Sequence, residues 1–441
     1  MPRYKPLDSS FLSQPDISTP PAPRPFLVDK RVKPKPKRPV SSTTSPLADP
    51  QGPTHQLAAE LQSCLYLPDP SPLYAVCGTV VANMIEGYPV WMMLIGPPES
   101  GKTELLKHLI GLDRIFECGD LSGKAALLSG TRAKDVAADA TGGVLKMLET
   151  EAKGGPVRGC LIMLDFARTV LAADPKTARE TLGAIGMIHD QHYQRDIGAD
   201  GGRTITFNGK VGFIAACTDV IDHPDHQQAN NEMGDRCIYY RYPVSNGYHE
   251  ISSALDNPDS TYKNSKIKSL FAAWFEAIWL GWEENVDKPK PPEEPEKRML
   301  IALSQFAARG RSGVLRSRYK EEIIGVSRSA LGPRLAITFA QLLRGLERCL
   351  CSPEECRAVL RSCARDSIPA VRLAALDAIQ EGARGISDIA DRVRIDLNAT
   401  RRVLEDLRAH DLTVCDRPDG LGKWRLSALT EELLRDGWAD E

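Results

Sequence analysis

Between Tyr88 and Tyr242 short apolar runs alternate with longer amphipathic ones: VWMMLIG, ELLKHLIGL, RIFECGD, VLKMLETEA, CLIMLDF, ARETLGAIGMIHDQH and KVGFIAAC. Runs of four to eight β-rich residues read as buried strands, and apolar spacing at i, i+3, i+4 reads as helix. Strand and helix taking turns predict an α/β fold, a parallel sheet covered by helices on both faces. From about Ile251 to Ile379 the strand signals stop and helical periodicity takes over, broken by the charged proline stretch KPKPPEEPEK at 288–297. That pattern predicts a separate, all-helical domain. Within it Phe271, Trp274, Phe275, Trp279 and Trp282 share one helical face, as expected for core packing rather than a membrane face.

From Ala370 the pattern predicts three helices and then two short strands, TVCD and KWRLS, around the turn at 418–422. Asn398 is the expected N-cap of the third helix. The first 55 residues contain thirteen prolines and the basic run Lys30, Arg31, Lys33, Lys35, Lys37 and Arg38. Such a segment buries too little to offset its ordering entropy and is expected to be a disordered arm. The expected divisions are therefore 1–55, 56–250, 251–369 and 370–441.

Composition narrows the function classes. Across 441 residues, 56 Lys and Arg face 58 Asp and Glu, so nucleic-acid contact must come from a local patch rather than from the chain as a whole. No stretch approaches the ~18 apolar residues of a membrane span, and the N-terminus lacks a signal-peptide block. A cytoplasmic, membrane-free protein is expected, with its eleven cysteines reduced.

The strongest chemical signal is WMMLIGPPESGKTELLKHL, which sets Gly96, Pro97, Pro98, Glu99, Ser100, Gly101, Lys102, Thr103 and Glu104 between an apolar strand and a helix. Glycines in that context let backbone N–H groups turn toward a phosphate; Lys102 reaches the β and γ oxygens, and Thr103 offers a hydroxyl to Mg2+. ATP and Mg2+ are the expected ligands. CLIMLDF ends a strand in Asp165, placed to hold the Mg2+ shell from a neighbouring parallel strand. VGFIAACT ends in Thr218, a strand tip that can sense the γ-phosphate or the attacking water. The segment GDRCIYYRYP offers Arg236 and Arg241, of which Arg236 is the candidate to reach a neighbouring subunit's γ-phosphate.

With this order of motifs, the stretch from about 60 to 245 resembles the AAA+ ATPases, with Gly96–Thr103 as Walker A, CLIMLDF as Walker B, IAACTD as sensor 1 and the GDR arginine as finger. DGGRTITFNGKVGFIAACT is similar to the β-hairpin that runs into the sensor-1 strand in minichromosome-maintenance-type helicases. GPRLAITFAQLLRGL resembles the lid of that group, which implies Arg334 as sensor 2, and phage and mobile-element ATPases show a similar run including the DSIP at 366–369. Where many such ATPases carry the glutamate that orients water, this chain has Phe166. Asp120, Asp190 or Asp219 would have to replace it, or hydrolysis would be slow.

The end of the chain resembles a winged helix-turn-helix, which implies DNA contact through Thr400, Arg401 and Arg402 of the third helix and Lys423 of the wing. Residues 382–441 hold ten Lys and Arg against thirteen Asp and Glu, so attraction to a duplex requires local clustering. Cys349, Cys351, Cys356 and Cys363 are irregularly spaced in a helical stretch and read as buried structural thiols, and the His-x2-His pairs His189/His192 and His223/His226 flank the candidate nucleotide site and read as ordinary loop histidines. The combined expectation is a homo-oligomeric, DNA-remodelling ATPase of helicase or initiator character. The competing readings are a slowly cycling ATP switch that docks DNA or a protein, and a protein-remodelling ATPase.

Overall fold

The computed structural model describes residues 52–119, 127–129, 142–197, 203–223, 236–243, 260–280, 288–317, 322–326 and 332–438, with a few single positions besides. The basic arm, Asp120, Trp282 and His226 lie outside the described residues. Among the described residues no helix is long and apolar enough to cross a membrane.

Four predicted strands and a fifth that the apolar runs did not mark, Cys237–Arg241, assemble into one five-stranded parallel sheet in the order β2 (Ile115–Glu117), β3 (Arg158–Met163), β6 (Lys210–Cys217), β1 (Trp91–Ile95) and β7 (Cys237–Arg241). Alternation along the strands decides which layer each side chain joins. Met92 and Leu94 of β1 and Ile214 and Ala216 of β6 enter one apolar layer with α1 (Pro53–Gln62) and α2 (Ser71–Met84). Trp91, Met93, Ile95, Phe213 and Ala215 enter the other, under α4 (Val144–Glu151) and α5 (Pro175–His189). The short α3 (Lys102–Lys107) joins the first layer through Leu105 and Leu106. The hairpin expected within 200–218 begins further upstream: β5 (Arg203–Asn208), inside that stretch, pairs antiparallel with β4 (His192–Ile197), outside it, and then leads into β6. Tyr193 and Phe207 root it in the second layer, while His192, Gln194, Thr204 and Thr206 face solvent.

The helical region comprises α6 (Ser260–Trp279), α7 (Glu294–Arg311), α8 (Pro333–Arg348) and α9 (Pro353–Asp366). Phe271, Trp274 and Phe275 are buried, and they belong to the same continuous layer as Leu73 and Val76 of α2. Small residues make this contact close. A side chain at Gly345 of α8 would collide with the carbonyl oxygen of Gly78 on α2, so only glycine lets the two backbones approach. The proline stretch does not remain a linker throughout, because Pro295 sits in the first turn of α7, where its missing N–H has no intrahelical partner to lose. Nor is the region wholly helical: β8 (Val314–Arg316) and β9 (Ile323–Val326) form an antiparallel ribbon. The two strands are only three and four residues long, too short to stand out as strand signals.

The DSIP segment has a structural task. Strand β7 is an edge, and its exposed donors find side-chain acceptors there: Tyr239 N–H donates to Ser367 Oγ at 3.0 Å and Arg241 N–H to Asp366 Oδ2 at 2.7 Å.

The chain ends in α10 (Ala370–Gln380), α11 (Ile386–Val393), α12 (Leu397–Ala409), the antiparallel pair β10 (Thr413–Cys415) and β11 (Trp424–Leu426), and α13 (Ala428–Trp438). Buried Trp424 anchors this unit with Leu376, Ile389, Leu404 and Leu407. The N-cap of α12 is Asp396 rather than Asn398. Its Oδ1 accepts the N–H groups of Asn398 and Ala399 at 2.9 and 3.0 Å, so Asn398 is already inside the helix.

Candidate nucleotide site and candidate nucleic-acid surface

Strand β1 delivers the glycine loop to the C-terminal edge of the sheet. Gly96 N–H continues the ladder to Cys217 O at 3.2 Å, and Tyr242 N–H closes the other side on Ile95 O at 2.6 Å. A Cβ on Gly96 would press on Tyr242 Cβ at 3.0 Å, and Gly101 enters α3 at φ +86°, open to glycine but strained for other residues. Lys102 is buried inside the loop, where Nζ donates to Gly96 O (2.8 Å), Pro97 O (2.5 Å) and Ser100 Oγ (2.9 Å). Burial holds its pKa below the usual lysine value, opposed chiefly by the negative field of Asp219 and then of Cys217 and Asp165. Thr103 is exposed beside it. Glu104 serves locally: His108 first, and then Lys107 at 2.6 Å, hold its carboxyl down to about 2.

Asp165 is not on a strand adjacent to β1. Strand β6 lies between, with Met163 level with Ala215 and Ala215 level with Met93. Asp165 is therefore about 10 Å to the side of β1, and Thr218 stands at the tip of the intervening strand. Asp165 is exposed, and its Oδ1 accepts the Arg168 N–H at 2.9 Å at the start of a π-helical turn, Ala167–Leu171. Phe166 is fully buried in the layer under α5. Of the carboxylates that might stand in for a glutamate there, Asp219 is at the same sheet edge as Lys102, and Asp190 is not.

Arg241 proves structural. Its guanidinium forks onto Asp222 at 2.8 and 3.0 Å and donates through Nε to Asp366 O at 3.3 Å. Arg236 and Arg334 occupy the opposite, N-terminal edge of the sheet. Arg236 precedes β7 where Cys237 pairs with Trp91, and its guanidinium lies against Gly186. Arg334 Nη2 is 3.9 Å from Asp190 Oδ1. The length of β1, about 13 Å, separates them from the loop.

Between these arginines sits a group that sequence reading passed over as a loop histidine. His189, the last residue of α5, is buried edge-on to Trp91 at 4.9 Å, and its Nε2 has no hydrogen-bond partner among the described residues. Burial, then the positive Arg334 and Arg236, push its pKa down to about 4. Its sequence signal was the apolar i, i+3, i+4 spacing of α5, which carries position 189 onto the inner face.

The cysteine group is buried throughout. Burial pushes the Cys356 thiol up to about 12, and those of Cys349, Cys351 and Cys363 also rise. None carries thiolate character at neutral pH.

On the C-terminal unit the candidate contacts divide. Thr400 is fully buried and its hydroxyl donates to Asp396 O at 2.9 Å, which removes it from any surface. The helical period turns residue 400 inward and residues 401 and 402 outward. Arg401, Arg402 and Lys423 are exposed; Arg401 donates to Glu405 Oε1 (3.0 Å) and to Asp419 O (3.2 Å).

No protein-family model matches the chain, and no curated protein matches it.

Proposed function

We propose that the chain binds Mg-ATP at the Gly96–Thr103 loop and is an AAA+-type ATPase that acts on DNA. The observation that carries this reading is the convergence of Lys102, Thr103, Asp165 and Thr218 on one edge of a parallel sheet. Lysine and hydroxyl there supply a phosphate contact and a Mg2+ ligand, and Asp165 completes the metal shell. The parallel sheet and the β4–β5 hairpin running into β6 agree with the resemblance.

Arg236 and Arg334, gathered on the far edge, serve a loop other than their own. The active unit is accordingly an oligomer in which one copy's loop faces a neighbour's arginines, and the burial of Arg241 in structural contacts leaves Arg236 as the finger. Titration with a fluorescent ATP analogue and Mg2+ tests the first step. Lys102→Ala should weaken binding by roughly tenfold or more, the loss of charge-assisted hydrogen bonds to phosphate. Unchanged affinity would sink the reading.

Phe166 favours a second reading, a slowly hydrolysing switch. Its side chain is sealed in the core, so a water-orienting carboxylate must come from Asp219 or from outside the described residues. ATPase assays with and without DNA separate the two: DNA-stimulated turnover supports the motor, and tight binding without turnover supports the switch.

A further inference from the structure

The exposed face of α12 is the surface that the proposed DNA contact requires, yet the helix carries Glu405 and Asp406 among its arginines. The structure shows where those carboxylates are engaged. Arg316, from the β8–β9 ribbon some ninety residues upstream, donates to Glu405 Oε2 (3.1 Å), to Asp406 Oδ1 (2.5 Å) and to the Arg402 carbonyl (3.1 Å). Arg372 of α10 takes the other Asp406 oxygen at 2.9 Å, and Arg309 of α7 pairs with Asp411 just beyond the helix at 3.2 Å. None of these three arginines belongs to residues 382–441, whose own charge balance is negative.

Ribbon and helix enclose a cavity of about 880 Å3, whose lining includes Arg316, Asn398, Arg401, Arg402, Glu405 and Arg408, with Glu322 on the ribbon side. The turn between β10 and β11 is tied to the same helix, with Arg401 donating to Asp419 O and Arg408 to Pro418 O at 3.3 Å. The floor is therefore α12, with the ribbon and Pro418 of the β10–β11 turn also lining the cavity. Four arginines face two glutamates in this lining, and Glu405 is already bound by Arg316 and Arg401.

We propose that this groove is a composite binding surface for the DNA phosphodiester backbone, in which Arg316 acts by neutralising Glu405 and Asp406 as well as by adding its own charge. The inference rests on the reading that the C-terminal unit binds DNA, and it assigns the ribbon to that surface. On α12 alone three arginines oppose two carboxylates, an excess of one; Arg316 and Arg372 raise it to three, and Glu322 on the ribbon side lowers it to two. Phosphate affinity scales with such local charge, and so does its dependence on salt.

The test is fluorescence anisotropy of the full chain with a labelled duplex of about 25 base pairs at several salt concentrations. Arg316→Ala should weaken binding about tenfold or more and reduce the slope of log K against log salt by about one or more. Glu405→Gln with Asp406→Asn should restore most of the loss in the Arg316→Ala background while changing the wild-type chain much less. If the alanine variant is unstable, Arg316→Lys keeps the charge but cannot span both carboxylates and should fall between the two.

Affinity unchanged or raised on losing Arg316, or equal to wild type in Arg316→Lys, overturns the composite surface while leaving DNA binding through Arg401, Arg402 and Arg408 intact. A wild-type chain with no affinity for the duplex overturns both the inference and the reading beneath it. Displacement of the duplex by a polyglutamate peptide of equal charge overturns the assignment to nucleic acid.

Discussion

The Asp366 carboxylate accepts the backbone N–H of Arg241 at 2.7 Å, while the Arg241 guanidinium forks onto Asp222 at 2.8 and 3.0 Å. One residue thereby joins the end of edge strand β7, the turn that follows Thr218, and the C-terminus of α9. The edge of the sheet nearest the loop is held by side chains from the helical region. Asp366 is thereby linked, through Arg241 and Asp222, to the turn after Thr218, on the side where nucleotide is proposed to bind.

Asp366 and His189 titrate with opposite effects on stability. Burial pushes the Asp366 carboxyl up to about 6 from 3.8, partly offset by the Arg241 N–H and charge. Its folded pKa lies above its unfolded one, so its favourable contribution is complete below pH 3.8 and is lost as pH rises through 6. His189 is depressed to about 4 from 6.5, so its contribution is complete above pH 6.5 and is lost as pH falls through 4. Each is worth about 3 kcal/mol, and between pH 4 and 6 they oppose. Urea unfolding should show Asp366→Asn gaining stability with pH relative to wild type across this window, and His189→Gln losing it.

Phe166→Glu places a carboxylate where many AAA+ ATPases, the family the motifs resemble, have one, yet the side chain enters the core beside Leu182 and Ile185. The variant should lose about 3 kcal/mol or more of stability, the cost of an unpaired buried charge. It should gain no ATPase activity. A rise in turnover with unchanged thermal midpoint would show that Phe166 can leave the core.

Gly345→Leu tests the α2–α8 contact. The added side chain must displace the α2 backbone near Gly78, costing about 2 kcal/mol or more. Thermal unfolding should fall by several degrees; an unchanged midpoint would mean that the two helices separate freely.

Mixing tests the division of the nucleotide site between copies. Arg236→Ala should retain Mg-ATP affinity and lose turnover, and Lys102→Ala should lose both. Equal mixtures should recover activity absent from either alone, because an intact loop then meets an intact arginine. Additive, inactive mixtures would remove the trans role of Arg236.

Much of the fold was legible in the chain. The alternation of short and long apolar runs located four of the five strands of the sheet, β7 having been read only for its arginines, and the helical face holding Phe271, Trp274 and Phe275 proved to be core. The ribbon at 314–326 escaped notice because three- and four-residue strands leave no period to read. The resemblance to a winged helix implies a surface role for Thr400, but which face of α12 turns outward depends on its packing against the rest of the unit, and that packing buries Thr400. The loop was legible because its constraint is local: glycines at a strand-to-helix junction with Lys102 and Thr103 adjoining.

The chain by itself determined what depends on neighbours in sequence: which segments become strand or helix, and that Gly96–Thr103 forms a tight loop after β1. Only the tertiary structure decided which distant groups meet. The insertion of β6 between β1 and β3, the removal of Arg236 and Arg334 to the far edge, the burial of His189 beside Trp91, and the arrival of Arg316 on Glu405 and Asp406 all follow from strand order and helix packing. The physical reason is that periodicity specifies which face of an element is apolar, not which other element will cover it. Charges a hundred residues apart are paired by that covering.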